Sequence, residues 1–87
     1  MNRAEAINEA FRRINPPFGK PVTIVWKESG GYTVEEGNYP QKGEGSKFAY
    51  RPEAQHEIRL WLDEVGEASI LWNNAYAYYR VWSEPGR

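Results

Sequence analysis

The sequence predicts an α+β fold: a small, mostly antiparallel four-stranded sheet with two helices packed on one face. Three observations carry this. Apolar residues recur at helical spacing over residues 2–14 and again over 52–65. Each of these stretches is followed by two β-branched, aromatic runs. The runs within each pair are separated by Ser29-Gly30-Gly31 and by Asn73-Asn74, residue types that suit tight turns. The predicted element order is therefore αββ-αββ.

The first helix has Asn2 as its cap and Glu5 three residues on, the pattern of a capping box. Ala4, Ile7, Phe11 and Ile14 form its apolar stripe. Arg12 and Arg13 complement the negative end of the helix dipole, and Pro16 and Pro17 stop the helix. Residues 21–27 and 32–36 read as a hairpin. A three-residue turn ending in a left-handed Gly pairs Trp26 with Val34 and Val25 with Glu35. Val22, Ile24, Trp26, Tyr32 and Val34 then face the core, and Thr23, Val25, Lys27, Thr33 and Glu35 face outward.

Residues 37–47 are the least regular part, because Gly and Pro break both helix and strand. Phe48 and Tyr50 alternate as in an added short strand. The second helix starts at Pro52, which suits a first helical position, and ends at Gly66, which suits the C-cap. Ala54, Ile58, Trp61, Leu62 and Val65 line its apolar face, with Leu60 and His56 outside it. The final hairpin spans 67–82. A two-residue Asn73-Asn74 turn pairs Leu71 with Tyr76, Ser69 with Tyr78 and Glu67 with Arg80, placing opposite charges across the ladder. The two halves echo each other: Glu5-Ala6 and Glu9 match Glu53-Ala54 and Glu57, and Ile24-Val25-Trp26 matches Ile70-Leu71-Trp72.

With 87 residues, one domain is expected. It divides into helix plus hairpin (1–36), a Gly/Lys-rich loop (37–51), helix plus aromatic hairpin (52–82) and a tail (83–87). A chain this short buries only about 60–65% of its unfolded surface. The absence of Cys excludes disulfides and thiolate metal sites, and a single His excludes a multi-histidine centre. No cofactor or metal is therefore expected. Eleven basic and twelve acidic residues nearly balance, which argues against binding that depends on neutralising phosphates. The chain begins without an apolar signal region and contains no membrane-length span, so a cytoplasmic, non-membrane protein is expected.

No catalytic signature emerges. Glu35-Glu36 and Asp63-Glu64 are adjacent pairs whose side chains diverge, and the few Ser and Thr have no activating neighbours. The chain is read as a non-enzyme. Gly43-Glu44-Gly45-Ser46-Lys47 lacks the spacing of a nucleotide-triphosphate loop. The order of Gly43, Gly45, Ser46, Lys47 and Ala49 after a helix and strands resembles the double-stranded-RNA-binding domain. That resemblance implies RNA contacts through Lys42, Lys47 and Arg51. Phe48 stands where that family has a second Lys, Pro52 interrupts where its helix continues, and the terminal hairpin is foreign to it.

The strongest positive feature is the last hairpin, where Tyr76, Tyr78, Arg80 and Trp82 alternate on one side with Leu71 beside Tyr76. Tyr, Trp and Arg are enriched at interface hot spots. Leu71, Tyr76, Tyr78, Arg80 and Trp82 are thus the candidate partner-binding residues, for a protein partner or a homodimer. A small motif-free domain of this kind suits an accessory or inhibitory role, including on a mobile element. The alternative is nucleotide or RNA binding by the aromatic face together with Lys42, Lys47, Tyr50 and Arg51.

Overall fold

The computed structural model describes residues 1–14, 20–39, 46–74 and 77–83. Helix α1 (Arg3–Arg13) begins with the capping box that its sequence announces. Asn2 Oδ1 accepts from the Glu5 amide at 2.8 Å, and Glu5 Oε1 accepts from the Asn2 amide at 3.0 Å. At its other end Arg12 and Arg13 both donate to the Glu9 carboxylate, at 2.8 and 2.7 Å. These bonds, Arg12's first, hold the Glu9 carboxyl below its ordinary range. Arg13 also donates to the Val34 carbonyl at 2.9 Å, tying the helix end to the sheet. Ala6, Ile7, Ala10 and Phe11 are the buried face, with Ile14 just beyond. Ala4 is exposed, because Ala6 and Ala10 occupy the side that meets the sheet.

Strands β1 (Val22–Lys27) and β2 (Gly31–Glu36) form the first hairpin, with Trp26 opposite Tyr32 and Ile24 opposite Val34. This differs by two residues from the expected pairing of Trp26 with Val34. The ladder continues to Lys27 and Gly31, and Gly31 supplies the left-handed φ of 74° that closes the turn. An even slip leaves each side chain on its expected face.

The fold class is α+β, but the sheet has five antiparallel strands rather than four, in the order β2-β1-β4-β5-β3. The additional strand is β3 (Lys47–Ala49), which pairs with β5 (Tyr78–Trp82) at the sheet edge. The order along the chain is thus αβββαββ. Helix α2 (Arg51–Val65) carries Pro52 in its first turn and ends at Gly66 with φ 72°, the left-handed conformation that a glycine C-cap adopts. Strand β4 (Glu67–Asn73) follows at once.

The second hairpin departs from the expected two-residue turn. Asn73 pairs with Tyr78, Leu71 with Arg80, Ile70 with Val81 and Ser69 with Trp82. The Ala77 amide donates to the Asn73 carbonyl at 2.8 Å, and Ala77 itself takes a positive φ of 58°. The longer connection moves Ser69's partner four residues along from Tyr78, so Glu67 does not face Arg80 and Leu71 does not face Tyr76.

The buried residues of α1 and α2 form one cluster with Val22, Ile24, Val34, Ala49, Ala68, Ile70 and Val81. The strand registers place those sheet residues in cross-strand rows on a single face. Ile58 is fully buried, whereas Trp61 is half-buried at the margin of the cluster. The two halves carry matching features on either side of the β1–β4 pair. Trp26 meets Tyr32 at a centroid distance of 5.0 Å and 64°, and Trp72 meets Tyr79 at 5.0 Å and 62°. The antiparallel β1–β4 pair runs between them, with Thr23 opposite Ser69. Their hydroxyls lie 2.8 Å apart, buried.

The relation is not perfect. The Phe11 ring meets Tyr79 edge-on at 4.9 Å. No aromatic ring of α2 meets Tyr32 among the described residues, and Trp26 is 52% exposed rather than in the core. Beside it a groove of about 450 Å³ lies between Trp26, Tyr32, Leu62, Asp63, Val65 and Gly66.

The sheet face away from the helices is not open at its centre. Thr23, Glu67, Ser69 and Trp82 are buried there. Strands β2 and β3 lie at opposite edges of the sheet, and Gly37, just beyond β2, sits close to Thr23 on this face. The Gly37 amide donates to the Pro21 carbonyl at 2.8 Å, and a Cβ on Gly37 would lie 2.5 Å from Thr23 Oγ1. No helix among the described residues is long and apolar enough to cross a membrane.

Candidate functional site

The registers of β4, β5 and β3 assemble a strip of side chains at one end of the second sheet face. Leu71, Arg80 and Phe48 lie in one cross-strand row. Tyr78 stands at the neighbouring level, opposite Asn73. Tyr50 joins them because the chain turns from β3 into α2 at that residue, the helix N-cap. Phe48 and Tyr50 are 49% and 67% exposed.

The rings hold one another in place. Tyr78 meets Phe48 at 5.7 Å and 88°, and Tyr50 at 6.0 Å and 79°. Edge-to-face contacts of this kind add about 0.5–1.5 kcal/mol each beyond area burial. The Arg80 guanidinium lies 5.3 Å from the centre of the Phe48 ring, a cation–π distance. Arg80 Nε is buried without a hydrogen-bond partner. Between Phe48, Ala49, Tyr50, Glu53 and Tyr78 there is a recess of about 230 Å³.

The structure therefore brings together Leu71, Tyr78 and Arg80 from the expected partner-binding set with Tyr50 from the alternative set. Trp82 lies on the same side of β5 but is fully buried, so it presents no surface. Its position opposite Ser69, at the covered centre of the face, is the reason. Tyr76 and Lys42 lie outside the described residues. Lys47 sits at the sheet edge with its ammonium 3.8 Å from Glu57 on α2. The Arg51 guanidinium lies 4.7 Å from the centre of the Phe11 ring, toward the helix side. The basic cluster expected from Lys42, Lys47 and Arg51 is thus not gathered on the aromatic strip by its two described members.

Phe48 and Glu53 belong to this strip and were not legible as site residues. The signal for Phe48 was its alternation with Tyr50, which marked a short strand without saying which strand it would join. Chemically the strip offers ring faces, phenolic hydroxyls, a guanidinium and one carboxylate. Among the described residues no group of three or more His, Asp or Glu is placed to hold a metal ion.

Comparison with protein families, with curated proteins and with solved structures finds nothing that matches this chain.

Proposed function

We propose that this chain is a non-enzymatic binding module whose strip of Leu71, Phe48, Tyr50, Tyr78 and Arg80 docks onto a protein surface, in the simplest case that of a second copy. The observation that supports this is the exposure of Phe48 and Tyr50 on a scaffold of ring contacts with Tyr78. Large rings clustered in water contribute little to folding, and patches of this kind mark interaction sites. Pre-organised Tyr and Arg side chains also lose little conformational freedom on docking, which favours them as hot spots. The nucleic-acid alternative draws less support, because Lys47 and Arg51 are engaged with Glu57 and Phe11.

Sedimentation over a range of concentrations tests the self-docking form. The wild type is expected to shift toward a dimer as concentration rises. Phe48→Ala and Tyr50→Ala should abolish that shift while remaining folded at the temperature of the measurement, since both rings are exposed and lie outside the buried core cluster. A wild type that remains monomeric at every concentration, or variants that dimerise undiminished, refutes it.

A further inference from the structure

We infer that the recess between Phe48, Ala49, Tyr50, Glu53 and Tyr78 is a cation pocket that receives the ammonium group of a lysine side chain on the docking protein. This rests on the binding-module reading and names the chemistry of one contact within it.

Four observations support the inference. The rings of Phe48 and Tyr50 stand at 88° and 79° to that of Tyr78, so neither stacks face to face on Tyr78, and all three rings line one recess. Aromatic faces carry negative electrostatic potential and attract cations within about 6 Å. The cluster already holds one cation this way, the Arg80 guanidinium 5.3 Å from the Phe48 centre. The Glu53 carboxylate lines the recess and forms no ion pair with a described residue, whereas Lys47 is paired with Glu57 and Arg51 is stacked on Phe11. Finally, about 230 Å³ is below the usual range of pockets for drug-sized ligands, roughly 300–1,000 Å³. That size suits the head of one side chain better than a whole nucleotide.

The neighbouring Arg80 and Arg51 keep the local potential from being strongly negative. An isolated cation is therefore held weakly, and the pocket acts as one contact in a larger surface.

The test uses small probes on the full chain, followed by the NMR signals of the Phe48, Tyr50 and Tyr78 rings. The probes are choline chloride, lysine blocked at both backbone ends, and 3,3-dimethylbutan-1-ol, the neutral isostere of choline. Both cations should shift the ring signals at millimolar concentrations, and the isostere should not. Glu53→Gln should weaken the cations about two- to fivefold, and Tyr50→Ala by a similar factor. Tyr50→Phe, which keeps the ring, should retain binding. Equal shifts from the isostere, or none from either cation, overturn the pocket. Choline binding with blocked lysine inert overturns the lysine assignment. The probes are added at a protein concentration where sedimentation shows monomer, so that no partner lysine fills the recess. A chain that dimerises at higher concentration but ignores them as a monomer refutes the pocket alone. A monomer that binds them refutes self-docking alone.

Discussion

The hydroxyl pair between Thr23 and Ser69 gives a stability prediction in which two damaging mutations largely cancel when combined. The two oxygens lie 2.8 Å apart at the centre of the β1–β4 ladder, and both residues are buried. Thr23→Val keeps the side-chain shape and strands the Ser69 hydroxyl. Ser69→Ala strands the Thr23 hydroxyl. A buried polar group left without its partner costs about 1–3 kcal/mol. For a domain of this size each kcal/mol lowers Tm by about 4–8 °C, so each single variant should melt visibly earlier. The double variant removes both hydroxyls together and should lie within about 1 kcal/mol of the wild type. The coupling energy in the cycle is then about 1 kcal/mol or more, above the few tenths expected for independent sites. Urea denaturation of the wild type, both single variants and the double variant measures it. If the two losses simply add, the hydroxyls are not each other's essential partner and the reasoning fails.

Further outcomes follow from the same geometry. Gly31→Ala should destabilise by about 1 kcal/mol or more, since φ is 74° and the new Cβ would lie 2.7 Å from the Met1 carbonyl oxygen. Gly30→Ala, with nothing within 4 Å of its Cβ, should change little, and paired thermal melts compare them. Ile58→Ala should cost about 2–5 kcal/mol, because Ile58 is fully buried. Leu60→Ala, on the exposed side of the same helix, should stay within about 0.5 kcal/mol in denaturant titrations. Glu9 has a folded-state pKa depressed below 4.5 by Arg12 and Arg13. Its stabilising contribution is present above pH 4.5 and disappears as pH falls through the lower folded value. Glu9→Gln should therefore flatten the stability–pH curve in that acidic window and leave its remainder in shape.

The helices were legible nearly residue by residue, because caps and apolar stripes are local signals. Asn2, Glu5, Pro52 and Gly66 act where their chemistry places them. Strand faces were legible even though both hairpin registers were not. The slips were of two and four residues, and an even slip preserves the alternation of faces. The register of the second hairpin was hidden because Asn73-Asn74 is competent for a tight turn, while the observed connection depends on Ala77 at positive φ. No propensity of Ala announces that conformation. The status of Trp82 and Trp26 was reversed for a different reason. Both were placed on the correct side of their strands. Whether that side is covered depends on packing from outside the strand, such as a ring at the Phe11 position, and periodicity does not carry that. Arg80, Tyr78 and Leu71 were found as a group because they share one alternating face. Phe48 and Tyr50 joined them only through pairing of β3 with β5.

The placement of the β1–β4 ladder between the two hairpins has a kinetic consequence. Among the described residues it is the strand pairing that links α1, β1 and β2 to the remainder of the sheet, and it joins Val22 to Ile70. Each hairpin brings together near neighbours and can close within microseconds. The central ladder must first close a chain segment spanning about half the protein, at an entropic cost that grows with the logarithm of its length. Folding is then limited by the docking of two locally formed halves. Under that order of events, changes along the seam at Ile24 or Ala68 slow folding. Changes at the hairpin tips slow folding as well, because those contacts are already formed when the halves dock.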